Sequence, residues 1–155
     1  MCEAGKYSDR QINCIPCAPG YYSNVTAASN ISTCVPCPKG KFNSMDGSSS
    51  LESCTSCPSG RVLDIYAAVS LHQCVRCDIG KFTTTPGQIK CRDCPPRQTN
   101  TAVGSSTCEF CDGGKFLNGT VVCVDCKSGR YSKKGDGDCS ACLPGFYSGK
   151  GQTEC

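Results

Sequence analysis

"CIPCAPGYYSNVTAASNISTCVPC", residues 14–37, decides how this chain folds. Two C-x-x-C pairs stand 16 residues apart, a spacing known from zinc sites, so the sulfurs are either thiolates around a metal or halves of disulfides. Within the stretch, Gly20 follows Cys17 by three residues and Tyr22 follows it by five. The same signature recurs along the whole chain: "CEAGKYS" (2–8), "CAPGYYS" (17–23), "CPKGKFN" (37–43), "CPSGRVL" (57–63), "CDIGKFT" (77–83), "CPPRQTN" (94–100), "CDGGKFL" (111–117), "CKSGRYS" (126–132) and "CLPGFYS" (142–148). Self-similarity of this kind marks a repeat architecture.

Each unit also closes with a cysteine, giving nine repeats over 2–14, 17–34, 37–54, 57–74, 77–91, 94–108, 111–123, 126–139 and 142–155. Every C-x-x-C is then the end of one repeat, two linking residues and the start of the next. Pairing first with last inside each repeat (Cys2 with Cys14, Cys17 with Cys34, Cys37 with Cys54, Cys57 with Cys74, Cys77 with Cys91, Cys94 with Cys108, Cys111 with Cys123, Cys126 with Cys139, Cys142 with Cys155) uses all 18 cysteines. Grouping the eight C-x-x-C pairs into four-thiolate zinc sites strands Cys2 and Cys155. Disulfides are therefore the preferred reading, although sequence alone does not fix connectivity and the zinc grouping and other pairings stay open. A thioredoxin-like use of C-x-x-C needs one motif at a helix N-terminus. Here the motif is repeated eight times without βαβ patterning, which points to scaffolding.

Composition agrees. Eighteen of 155 residues are cysteine, above the roughly 8–10% that marks a disulfide scaffold in a secreted chain. Five Phe, two Met and no Trp cannot fill one continuous core, so covalent staples must replace hydrophobic burial. The sequons at Asn24, Asn30 and Asn118 fit an oxidising secretory route and are glycosylation candidates. A net charge of +3 is too small to argue for nucleic acid, and no apolar run approaches the 18 or more residues of a membrane span. Met1 is followed at once by Cys2, with no signal peptide between. The expectation is an extracellular or cell-surface segment cut from a longer chain.

The fold class expected is small and disulfide-rich: irregular, short-β, two-cysteine modules stacked into an elongated, solenoid-like rod with almost no helix. A closed loop of about 15 residues gains roughly 3 kcal/mol from its bond, while ordering each residue costs about 1–2 kcal/mol, so packing must add the rest. The ring five residues after each opening cysteine is the predicted anchor: Tyr7, Tyr22, Phe42, Phe82, Phe116, Tyr131 and Tyr147, each packed on a disulfide. In the repeat at 57–74, Val62 takes this place, with Leu63 and Tyr66 as compensating groups, and "LDIYAAVSLHQ" (63–73) has room for a turn of helix. The repeat at 94–108 is degenerate: Arg97 replaces the glycine and Thr99 the ring, which predicts the poorest packing in the chain.

These residues resemble the cysteine-rich repeats called ephrin-receptor-like, found in tandem in many extracellular proteins; "CPKGKFNSMDGSSSLESCTSC" has that look throughout. The opening C-x-x-G-x-Tyr/Phe is also similar to the two-cysteine first module of tumour necrosis factor receptor domains, whose two cysteines bond to one another. Those receptors alternate it with a four-cysteine module that is absent here.

The chemistry-bearing residues do not assemble into a catalytic motif. His72 is the only histidine, and no nucleophile elbow, P-loop or dinucleotide fingerprint is present; the expectation is no enzyme, no cofactor, no metal and no small-molecule substrate. The residue before the anchor is basic in six repeats: Lys6, Lys41, Arg61, Lys81, Lys115 and Arg130. In a stack of constant orientation these form a stripe that could meet acidic faces of other copies or of other cell-surface proteins. The preferred function is a structural or interaction segment, whether spacer, fibre or adhesive component, able to self-assemble. The alternative is a receptor ectodomain that binds a protein ligand along its length.

Overall fold

The computed structural model describes residues 1–9, 13–119 and 121–155. All 18 cysteines are joined in nine disulfides, Cys2–Cys14, Cys17–Cys34, Cys37–Cys54, Cys57–Cys74, Cys77–Cys91, Cys94–Cys108, Cys111–Cys123, Cys126–Cys139 and Cys142–Cys155. Their Cα atoms lie 5.4 to 5.8 Å apart, inside the range a relaxed bridge spans. Each bond closes one module.

A two-stranded antiparallel hairpin organises each of the first eight modules. In the second, Tyr21–Tyr22 pairs with Val35–Pro36, Tyr22 facing Val35; in the third, Lys41–Phe42 pairs with Thr55–Ser56. The return strand is thus the pair of residues inside C-x-x-C, which explains why the linkers are two residues long and why they are not free joints. The longest pairings are Lys6–Asp9 with Asn13–Pro16 and Lys115–Asn118 with Val122–Asp125. Among the described residues the ninth module has no strand. Among the described residues helix is confined to three-residue 3-10 turns at Ile31–Thr33, Leu51–Ser53 and Leu71–Gln73, just before the closing cysteine of the three longest loops. In the first, the Asn30 side chain accepts from Ser32 N. In the third, the Gln73 side-chain oxygen accepts from the amides of Val69 and Ser70.

The chain divides into two compact units: Met1–Val75 with Thr85–Lys90, and Arg76–Thr84 with Cys91–Cys155. In the first, each junction from module one to module four is stitched by the same four backbone hydrogen bonds. Between the second and third modules, Gly20 N donates to Asn43 O, Cys37 N to Gly20 O, Gly47 N to Cys17 O and Ser23 N to Ser48 O, at 2.8, 2.8, 2.8 and 3.0 Å. Between the third and fourth, Gly40 N donates to Leu63 O, Cys57 N to Gly40 O, Ala67 N to Cys37 O and Asn43 N to Ala68 O. The glycine of the repeat therefore both gives and accepts a bond across the junction. It does more. A Cβ on Gly40, whose φ is +82°, would sit 2.1 Å from the carbonyl oxygen of Gly87 in the fifth module. Gly5 and Gly20 stand equally close to Gly47 and Ala67. Each of the first three modules thus touches its second neighbour as well as its first, which most linear repeats do not, and only glycine fits at that approach.

Among the described residues, apolar packing in this unit is a single small cluster. Cys57, Leu63, Ala68 and Cys74 are buried, with Phe42 of the preceding module packed against them. Leu63 fills the place beside Val62 as expected, but Tyr66 does not: its ring is 61% exposed, with the Lys39 ammonium 5.5 Å from its centroid.

In the second unit the stitching repeats between the seventh, eighth and ninth modules. Gly114 N donates to Ser132 O and Cys126 N to Gly114 O; Gly129 N donates to Ser148 O and Cys142 N to Gly129 O. A Cβ on Gly114 would stand 2.0 Å from Gly151 O. The expected anchor rings are half-buried at Tyr7, Tyr22, Phe42, Phe82, Phe116 and Tyr131. Tyr147 is a correction: it is 82% exposed, and no strand holds it.

Candidate functional site

Six residues after the opening cysteine the chain buries a polar side chain, a feature the sequence reading missed. Ser23, Asn43, Thr83, Asn100, Ser132 and Ser148 are all buried. Burying such groups is tolerated only when they are hydrogen-bonded, and four of them share one partner type. Asn43 Nδ2 donates to Tyr21 O, Asn100 Nδ2 to Lys81 O, Ser132 Oγ to Lys115 O and Ser148 Oγ to Arg130 O. In each case the acceptor is the carbonyl of the fourth residue after the preceding module's opening cysteine. The module junction is therefore a polar clamp. A column reading of the aligned repeats would have exposed it, because position six holds Ser, Asn or Thr in seven of nine repeats.

Five of the six basic residues turn back on their own module or the linker that follows it. Lys81 Nζ lies 2.7 Å from Asp93, Lys115 lies 3.7 Å from Asp125, and Lys6 lies 3.9 Å from Glu3. Arg61 donates to the carbonyl of Cys74 at 3.0 Å and Arg130 to that of Cys139 at 2.9 Å, so both arginines tie the hairpin to the cysteine that closes it. The hydrogen bond to Asp93, then its charge, raises the Lys81 pKa. The Glu52 carboxyl is held low by a hydrogen bond from Ser50, with the Lys41 charge a smaller cause. The Lys39–Asp64 pair, 2.7 Å apart, likewise raises the lysine and lowers the carboxyl through its hydrogen bond first and its charge second.

The degenerate sixth module differs from expectation. Its turn survives because Arg97 itself adopts φ +66°, a left-handed conformation costing an L-residue about 1–2 kcal/mol. Thr99 and Asn100 are 4% and 8% exposed, so the module is not loosely packed; polar contacts replace the ring. Asn100 Oδ1 accepts from Gly80 N at 2.9 Å and its Nδ2 donates to Lys81 O at 2.9 Å. Thr99 Oγ1 donates to Val121 O at 2.8 Å. Beside Thr99 a half-open groove of about 630 Å³ runs along the sixth and seventh modules, with Phe110, Val121 and Val122 among its walls.

Asn24, Asn30 and Asn118 are exposed; Thr120 of the third sequon lies outside the described residues. His72 sits exposed in the last 3-10 turn. With every cysteine in a disulfide there is no free thiol, and among the described residues no helix is long and apolar enough to cross a membrane.

The family described as tyrosine-protein kinase ephrin type A/B receptor-like matches this chain three times in tandem, over residues 5–54, 26–74 and 65–111. The matches overlap and together run over more than half of the sequence, and their ends fall on or near the cysteines Cys54, Cys74 and Cys111. No curated protein matches the chain.

Proposed function

We propose, for a chain that belongs to the tyrosine-protein kinase ephrin type A/B receptor-like family, the role of a non-catalytic extracellular spacer: a disulfide-closed stack that holds its attachments at a set separation and presents side chains along its length. One observation carries the reading. Gly5, Gly20, Gly40 and Gly114 each lie against the backbone of the second module along, as Gly40 does against Gly87. A bend at one junction must therefore disturb the next as well. Opening a module fully also requires breaking its S–S bond, so pulling and proteolysis meet covalent resistance.

Small-angle scattering and electron microscopy of the oxidised protein test this. The expected result is one elongated particle of uniform length; a broad spread of bent forms would overturn the spacer role. Filaments in the same micrographs would identify the fibre-forming variety of it. A protein-binding ectodomain is the second reading, favoured by the groove beside Thr99.

A further inference from the structure

At the fifth position of its modules the chain places a ring or Val62, except at the sixth, where it places Thr99. Thr99 is buried and its hydroxyl is engaged by Val121 O, but it lacks the carbons of a phenyl ring, and the groove of about 630 Å³ opens beside it. The volume falls in the range that takes ligand side chains or small ligands. Its walls keep large apolar surface in water: Ile79 and Phe110 are each 42% exposed and Val122 is 53% exposed. Apolar surface gathered around a concavity is characteristic of interaction sites.

The rim sets the sign of the partner. Glu109, Asp112 and Lys115 line it. Lys115 lies 3.7 Å from Asp125 and Asp112 lies 3.9 Å from Lys134, both loose pairs, which leaves two carboxylates against one ammonium on the rim. The net charge facing an occupant is acidic.

We infer that this groove binds an extended segment of an extracellular protein, seating one aromatic or branched aliphatic side chain over Thr99 and setting a neighbouring Lys or Arg against Glu109 and Asp112. The occupant supplies the ring the repeat leaves out. The inference rests on the extracellular reading only for where the partner is met; it does not need the spacer role, and scattering and binding can fail separately.

Titration of the isotopically labelled, fully oxidised chain with blocked pentapeptides, followed by amide NMR shifts, tests it. The probes are Gly-Lys-Phe-Lys-Gly, the same peptide with Ala for Phe, and the same peptide with Glu for both Lys. The phenylalanine peptide should shift the amides of Thr99, Phe110 and Val122 saturably. The alanine peptide should bind about ten-fold more weakly or worse, a loss of about 1.4 kcal/mol, because it buries no ring. The glutamate peptide should lose a few-fold, a difference that shrinks in high salt. Thr99→Phe should fill the groove and weaken the phenylalanine peptide about ten-fold. If that variant fails to form its disulfides, Glu109→Lys on the exposed rim should weaken the lysine-flanked peptide and favour the glutamate-flanked one. Equal binding of the Phe and Ala peptides, shifts located elsewhere, or concentration-dependent shifts of the same amides without peptide (a second copy in the groove) would each overturn the inference.

Discussion

The third and fourth modules, within the first unit, and the sixth, within the second, solve the same junction in different ways. At Gly40 the backbone does the work: its N–H and C=O each bond to the fourth module, and Leu63 fills the interior beside them. In the sixth module Cys94 N still donates to Gly80 O, but a side chain takes the bond from Gly80 N. The Asn100 amide accepts from Gly80 N and donates to Lys81 O, so one residue supplies both a backbone-like acceptor and the polar clamp. The difference teaches that the repeat demands satisfied backbone groups at each junction, and that apolar burial is one way among others to surround them.

The comparison breaks most sharply at Gly40. Gly40→Ala drives a Cβ onto the Gly87 carbonyl at a φ of +82° and should cost about 4 kcal/mol, read as a lowered denaturant midpoint with disulfides intact. Gly129→Ala is the control: nothing lies within 4 Å of that Cβ, so only the left-handed backbone penalty of about 1–2 kcal/mol remains. Equal losses at the two sites would remove the second-neighbour contact from the explanation. Next comes Leu63→Ala, which empties the one apolar cluster of the first unit and should cost about 3 kcal/mol.

Asn100→Leu imitates the fourth module inside the sixth. It leaves Gly80 N and Lys81 O without their side-chain partners and should cost about 2 kcal/mol; a neutral outcome would mean the leucine solution is portable after all. Arg97→Gly restores the repeat glycine where φ is already +66°. Relief of backbone strain and the greater freedom of an unfolded glycine oppose each other, so thermal unfolding should move by less than about 1 kcal/mol.

The smallest effect is electrostatic. Asp64 is depressed by its hydrogen bond and charge contact with Lys39, so its contribution is present above the ordinary carboxylate range and is lost as pH falls through it. Lys39 is raised by the same contacts, so its contribution holds below the ordinary lysine range and is lost only as pH rises through the raised value. Both groups are exposed, so stability should be nearly flat between, and Asp64→Asn should flatten the acid side only slightly in a pH series of melting curves.

Much of this was legible in the chain. Covalent closure followed from the position of Cys2 and Cys155 outside every C-x-x-C, and the turn before each anchor followed from glycine at a fixed offset. Two things were hidden for physical reasons. Asn43, Ser132 and Ser148 read as loop residues because a small polar side chain carries no burial signal until its acceptor is known, and that acceptor is a carbonyl in another module. The approach of Gly40 to Gly87 depends on how successive modules are rotated, which no residue spacing records. Tyr147 misled for the converse reason: the motif is complete, but no strand forms there to hold the ring.

Amide hydrogen exchange on the oxidised protein, resolved by residue, tests the junctions most directly. The N–H groups of Gly20, Gly40, Ser23, Asn43 and Leu63 should exchange slowly and as one group, far slower than those of Ser44 and Tyr66 on the outer loops. Rapid exchange at Gly20 and Gly40 with all nine disulfides in place would show closed loops strung together without stitching, and would contradict the stack.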